Sequence, residues 1–161
     1  MAETIAIRPA VPGDLAALDA LFARAYPKLL KADYPPSVLV TALPLISRAQ
    51  PALLRTGTFH VAETADGALV GAGGWTARGR TVGDVRHVVT DDRYQRRGIG
   101  RAILERVFEQ AGAAGLTLLD CKSTHTAVPF YSALGFETVA PISVELRPGI
   151  HFPAIRMERR L

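Results

Sequence analysis

Gln95-Arg96-Arg97-Gly98-Ile99-Gly100 sets two glycines one residue apart, and Arg101 completes a trio of arginines in the same turn. A β-branched segment, Thr81–Thr90, precedes it. After it, Ile99, Ile103, Val107 and Ala111 recur at every fourth position, with Leu104 and Phe108 on one flank. The pattern reads as strand, glycine loop, helix. Backbone N–H groups at such a helix start close on an anion, and the helix dipole favours negative charge there. The expected occupant is a diphosphate.

The charge distribution supports a compact ligand. Nineteen Lys and Arg against fifteen Asp and Glu give a net charge of +4. Residues 78–106 hold eight arginines against Asp84, Asp91, Asp92 and Glu105, and the rest of the chain is close to neutral. Positive charge therefore gathers around one loop. No aromatics alternate along a basic stripe, so a nucleic-acid partner is not expected. The single cysteine, Cys121, permits no internal disulfide, and the start Met1-Ala2-Glu3-Thr4-Ile5 lacks the features of a signal peptide. A reduced, cytoplasmic setting follows as the expectation. No apolar run approaches eighteen residues, so no membrane partner is expected, and no metal is called for. With 161 residues and 48% hydrophobic content, the chain is expected to form a single domain, 1–161. A domain of that size buries roughly 70% of the surface its unfolded chain would expose.

The elements that must position the loop follow from local pattern. Thr4–Arg8 alternates as a short strand, and Asp14 is the expected N-cap of a helix whose buried stripe is Leu15, Leu18, Leu21 and Phe22. Five prolines between residues 26 and 55 predict short helices and turns. Thr58–Glu63 and Leu69–Ala77 flank a turn at Ala65-Asp66-Gly67 as a hairpin. Gly71, Gly73 and Gly74 weaken the second strand or mark a bulge. The helix from Ile99 should stop near Gly112 and Gly115. Leu116–Cys121 reads as a buried strand, Thr126–Leu134 as a short helix with Pro129 in its first turn, and Phe136–Leu146 and His151–Glu158 as closing strands around Pro148-Gly149. The expected class is mixed α/β.

Two motifs in the right order, about thirty residues apart, resemble those of a known family. Gln95-x-x-Gly98-x-Gly100 after a strand is similar to the acyl-CoA pyrophosphate loop of the GCN5-related N-acetyltransferases (GNAT), and Ala127-x-x-Phe130-Tyr131-x-x-x-Gly135-Phe136 is similar to that family's later helix-to-strand motif. The resemblance covers most of the chain and is weakest across residues 26–55. It implies a mixed, mostly antiparallel sheet of about seven strands, splayed at the cofactor site and flanked by about four helices. It further implies transfer of acetyl from acetyl-CoA to a primary amine, and is compatible with a homodimer. The alternative function is a non-catalytic acyl-CoA sensor.

The site residues that the resemblance implies are these. Val88, Val89 and Thr90 would face the pantetheine arm, and Arg96, Arg97, Gly98, Ile99, Gly100 and Arg101 would hold the pyrophosphate. Tyr131 matches the tyrosine that protonates the departing thiolate, a donor the chemistry requires because attack on a thioester expels a sulfur anion. Asp84 stands where some members carry a general base; the other reading is an ion pair with Arg86 or Arg80. Strand period two puts His87 on the opposite face from Asp84, as a core or supporting histidine. Asp92 replaces a proline frequent in the family, and Thr124 replaces an asparagine that touches the cofactor. Cys121, in an apolar strand, reads as a plain buried thiol.

The acceptor walls are expected from residues 26–55 and the last hairpin. Tyr26, Lys28, Lys31, Asp33 and Tyr34 are available in the first, His151 and Phe152 in the second. Acids are scarce there, which argues against a polyamine. A small amine or amino acid is favoured over a protein N-terminus or lysine.

Overall fold

The computed structural model describes residues 3–161. Seven strands form one sheet in the order β1-β2-β3-β4-β5-β7-β6. They are β1 (Ile5–Pro9), β2 (Phe59–Thr64), β3 (Leu69–Arg78), β4 (Val82–Thr90), β5 (Leu118–Ser123), β6 (Glu137–Arg147) and β7 (Ile150–Arg160). Only β4 and β5 pair in parallel. That is the geometry a crossover helix demands, whereas tight turns produce antiparallel neighbours. The crossover is α3 (Ile99–Ala113); the other helices are α1 (Leu15–Leu30), α2 (Pro36–Ile46) and α4 (Val128–Ala133). Among the described residues, no helix is long and apolar enough to cross a membrane.

Two cores cover the two faces of the sheet. Leu18, Leu21, Phe22 and Ala25 of α1 pack with Val61, Ala72 and Val89 on one side. Ile99, Ile103, Leu104, Val107 and Ala111 of α3 pack with Leu119, Cys121, Tyr131 and Met157 on the other. The four-residue spacing of the α3 stripe thus buries one face, as amphipathic periodicity requires. Glycines of β3 let that helix approach. A Cβ at Gly71 would lie 2.7 Å from Ile99, and one at Gly73 would lie 2.9 Å from Val88 and 3.0 Å from Ile103.

Two local expectations change. Asp14 does not cap α1 with its side chain. Its carboxylate turns back to accept from the Val11 amide at 2.8 Å and from Arg8 at 2.9 Å, a charged partner that outcompetes the helix amides. Pro27 and Pro44 lie inside α1 and α2 rather than ending them. Each forgoes a ladder hydrogen bond. Burial of Ala25, Tyr26 and Leu30 carries α1 past the break.

As expected, β3 bulges beside Gly71, where Val70 is the extra residue against β2, and a second bulge sits on β4. Gly74 pairs with Arg86 and Ala72 with Val89, so His87 and Val88 together oppose Gly73. His87 takes φ 46°, a left-handed conformation uncommon for any residue but glycine. Bulges increase local twist. On its other edge, β4 keeps register with β5 only through Val82↔Leu118, Gly83↔Leu119 and Asp84↔Asp120. Beyond Asp84 the two strands diverge.

Candidate active site

The gap between β4 and β5 opens a cavity of about 1070 Å³. Gln95, Arg96, Gly98, Gly100 and Arg101 line one end of it, Val88, Val89, Thr90, Cys121, Ser123, Thr124, Phe130 and Tyr131 the middle, and Tyr26, Leu29, Leu45, Ile46, Gln50, Arg147 and Phe152 the other end.

A buried carboxylate builds the loop end. Asp91 is fully enclosed, with its side chain 0% exposed. It accepts from the Arg93 amide at 2.9 Å, from the Arg93 guanidinium at 3.0 Å and from Arg24 of α1 at 2.8 Å. Burial opposes its charge, but the Arg93 and Arg24 hydrogen bonds win and hold the carboxyl well below its usual range. Asp91 thereby fixes the 3₁₀ turn Asp92–Tyr94 to the body of the domain. Gln95 then donates to the Thr90 carbonyl at 2.9 Å, folding the loop onto the end of β4.

Arg96 (φ 62°) and Gly98 (φ 78°) turn the chain through the left-handed region, and Gly98 becomes the N-cap of α3. The first intrahelical acceptor is the Gly98 carbonyl, which takes the Ala102 amide. Among the described residues, the amides of Ile99, Gly100 and Arg101 have no partner, as helix geometry dictates for a first turn. Such a set of donors holds an anion. The two glycines do different things. Nothing lies within 4 Å of a Cβ at Gly98, so that glycine answers to backbone conformation alone. A Cβ at Gly100 would meet the Phe130 ring at 2.8 Å, so that glycine lets α4 seat against the start of α3. Arg97 turns away from the cavity and stacks over Tyr94, 4.7 Å from its centroid.

In the middle of the cavity, Tyr131 is buried at 5% exposure beside Phe130 and Phe136. Burial, then the neighbouring Cys121 and Tyr26, raise its phenol well above the ordinary value, so it holds its proton at neutral pH. Burial pushes the Cys121 thiol up to about 12, which leaves no thiolate for a covalent acyl-enzyme. Thr124 lines the cavity, and its hydroxyl accepts from the Ala127 amide at 3.2 Å in the turn that starts α4.

The acceptor end brings distant residues together. Asp84 pairs with neither Arg86 nor Arg80. Its partner is Arg78, at 3.3 Å, which also reaches Asp120 at 2.8 Å. The bulge overturns the period-two placement of His87. Val85 and Val88 face the α3 side, while His87 stacks on Phe22 of α1 with centroids 5.5 Å apart. His87 thus shares a cavity with Asp84 and Arg86. Burial, then the charge of Arg86, lower its imidazole to about 4 and keep it neutral. Arg86 donates to Gln50 Oε1 at 2.9 Å, which leaves the Gln50 amide nitrogen to face His87 Nε2 at 3.3 Å. The ring therefore presents a lone pair at Nε2 and carries its proton on Nδ1, an orientation assigned from the network.

Of the acceptor candidates, Tyr26 and Phe152 line the cavity, whereas Lys28, Lys31, Asp33, Tyr34 and His151 do not. Tyr34 is a bolt inside the fold: its hydroxyl donates to Pro153 O at 2.7 Å and accepts from the His125 amide at 2.9 Å. Lys28 pairs with Asp92 at 3.5 Å, and Asp33 accepts from Thr126 at 2.7 Å. Sequence reasoning missed Asp91 and Gln50. The Asp-x-Arg spacing of an Asx-type turn was a usable signal for Asp91. Nothing local marks Gln50.

Known proteins share this fold. A family model described as an acetyltransferase (GNAT) domain matches residues 55–138, which carry the loop and both flanking strands. Glucosamine 6-phosphate N-acetyltransferase of Trypanosoma brucei brucei is 34% identical over 62 residues, 38% of this chain and 42% of that protein. The curated relatives that the chain matches first are spanned over only 25% and 42% of their lengths. Among solved structures, a GCN5-related N-acetyltransferase from Rhodopseudomonas palustris superposes with a TM-score of 0.81 at 22% identity, covering 100% of this chain and 99% of the other. The PaiA N-acetyltransferase of Thermoplasma acidophilum, solved in complex with coenzyme A, gives 0.76 at 15% identity, covering 98% and 99%. With the splayed parallel pair, the unpartnered helix-start amides and the family model all falling on the same residues, the chain belongs to the GNAT acetyltransferases.

Proposed function

We propose that the chain transfers acetyl from acetyl-CoA directly to the primary amine of a small molecule. The observation that carries this reading is the divergence of β4 and β5 after Asp84↔Asp120, which opens one continuous cavity from the loop amides past Tyr131 to the acceptor end. A thioester laid along it has its pyrophosphate at the start of α3. Its pantetheine lies against the edge of Val88–Thr90 that β5 has left unpaired. Its carbonyl lies near Tyr131.

The amine nitrogen attacks the thioester carbonyl and the C–S bond breaks. The sulfur takes the Tyr131 proton, and the phenolate regains one from solvent. The proton lost by the amine passes to Asp84 or to water. Acid catalysis of this kind contributes roughly 10²–10⁴-fold. A small-molecule acceptor is supported by the curated relative named for the amine of a phosphorylated sugar. It is supported also by the apolar side chains Leu29, Leu45 and Ile46 at the acceptor end.

The test monitors free CoA thiol across a panel of amines. Tyr131→Phe is expected to lower kcat about 10²-fold, while acyl-CoA affinity changes by less than about twofold. Wild-type turnover in that variant would remove Tyr131 from the acid role. Tight acyl-CoA binding with no thiol release across the panel would assign a sensor instead.

A further inference from the structure

Arg86 lines the cavity, and among the described residues no carboxylate pairs with its guanidinium. Its Nη1 donates to Thr76 Oγ1 at 3.2 Å and its Nη2 to Gln50 Oε1 at 2.9 Å, both neutral oxygens. The nearby acids are committed elsewhere. Asp84 is held by Arg78, and Asp120 by Arg78 and by Arg156 at 3.3 Å. Arg147, on β6, is a second cation lining this end without an acidic partner. A cation that is half withdrawn from water and lacks a counter-charge is costly, and an arriving anion offsets that cost. Planar guanidinium groups favour carboxylate and phosphate oxygens, which they bind in pairs.

Gln50 and Thr76 orient this group, and the neutral His87 beside it supplies no competing charge. Asp84 lies two residues earlier on the same strand face, roughly 7 Å away along β4 at about 3.3 Å per residue. An amine directed at Asp84 and an anion directed at Arg86 are therefore separated by only a few bonds in one molecule. Leu29, Leu45, Ile46 and Val144 complete the wall and suit an aliphatic portion.

We propose that Arg86 is the anion receptor of the acceptor site, and that the acceptor is a primary amine bearing a carboxylate or phosphate a few bonds from its nitrogen. This rests on the transfer reading above. The anion is a specificity handle: it fixes the acceptor so that its nitrogen meets the thioester carbonyl.

The experiment measures CoA release with matched acceptors, amino acids against their carboxamides and hexosamine phosphates against the unphosphorylated sugars. The anionic member of one pair is expected to be the better substrate in kcat/KM by about tenfold or more, and which pair responds distinguishes carboxylate from phosphate. Arg86→Gln should raise KM for that acceptor about tenfold with KM for its neutral counterpart within about twofold, and Arg86→Lys should fall between. Retained CoA binding certifies that both variants are folded. Equal use of charged and neutral acceptors by the wild type overturns the proposal, as does an equal KM rise for both in Arg86→Gln. Either result leaves the transfer reading intact, whereas release with no amine at all overturns both.

Discussion

At the loop end of the cavity, the groups that meet a ligand come from one contiguous stretch, Asp91–Arg101, and most are backbone amides. At the acceptor end, they are side chains drawn from α1, α2, β4 and β6, together with Gln50, residues far apart in the chain. The first end is specified by conformation: a left-handed glycine, a helix start, a carboxylate that pins the approach. Its chemistry suits any ligand that ends in a diphosphate. The second end is specified by side-chain identity and by one bulge, and its chemistry suits a narrower class. The two sets of residues barely overlap.

Removing the Asp91 carboxylate strikes the loop end hardest. Asp91→Ala leaves Arg24 and Arg93 without their shared partner, at an expected cost of about 3–5 kcal/mol in a denaturant titration. Acyl-CoA affinity should fall with it, while the acceptor KM at saturating acyl-CoA holds. An unchanged acyl-CoA affinity would mean that the loop shapes itself without its anchor. Because the Asp91 carboxyl lies below its ordinary 3.8, its contribution is fully present above about pH 4 and is lost as the pH falls through the folded-state value.

The matching probe of the acceptor end is His87. Its folded value of about 4 lies below the ordinary 6.5. The unfolded chain therefore binds the extra proton between those pH values, and stability drops as the pH falls from about 6.5 to about 4. The expected loss is ~2–3 kcal/mol over that window. His87→Asn tolerates the left-handed backbone and removes the titrating ring, so its stability profile should be flatter there. A wild-type slope retained in His87→Asn would place the titrating group elsewhere.

The two loop glycines give the smallest and finest contrast. Gly98→Ala strains a left-handed residue in open space, at about 1–2 kcal/mol, and should weaken acyl-CoA binding. Gly100→Ala pushes on Phe130, next to Tyr131, and should lower kcat more than it weakens binding at a packing cost of about 1–3 kcal/mol. Identical kinetic profiles for the two would erase the distinction between a conformational glycine and a spacing glycine.

The legible parts of the sequence were those whose physics is local. The α3 stripe announced its buried face, and Gly115 (φ 88°) closes that helix as its position suggested. The short β2–β3 turn made those strands antiparallel neighbours, and the long excursion through α3 made β4 and β5 a parallel pair. Asp14 misled because Arg8, six residues earlier on β1, outcompetes the helix amides, and the prolines of α1 and α2 misled because burial outweighed local propensity. His87 misled because strand alternation holds only until a bulge interrupts it.

The sequence by itself determined the form of the loop end: glycines and an apolar four-residue repeat within one stretch specify a left-handed turn and the helix start that follows it. Tertiary structure alone decided the acceptor end. Gln50 meets Arg86 and His87 only when the segment after α2 lies against β4, and Asp120 joins Arg78 and Asp84 only when β5 lies alongside. Contacts of that kind depend on register between segments separated by many residues, and no local periodicity encodes register.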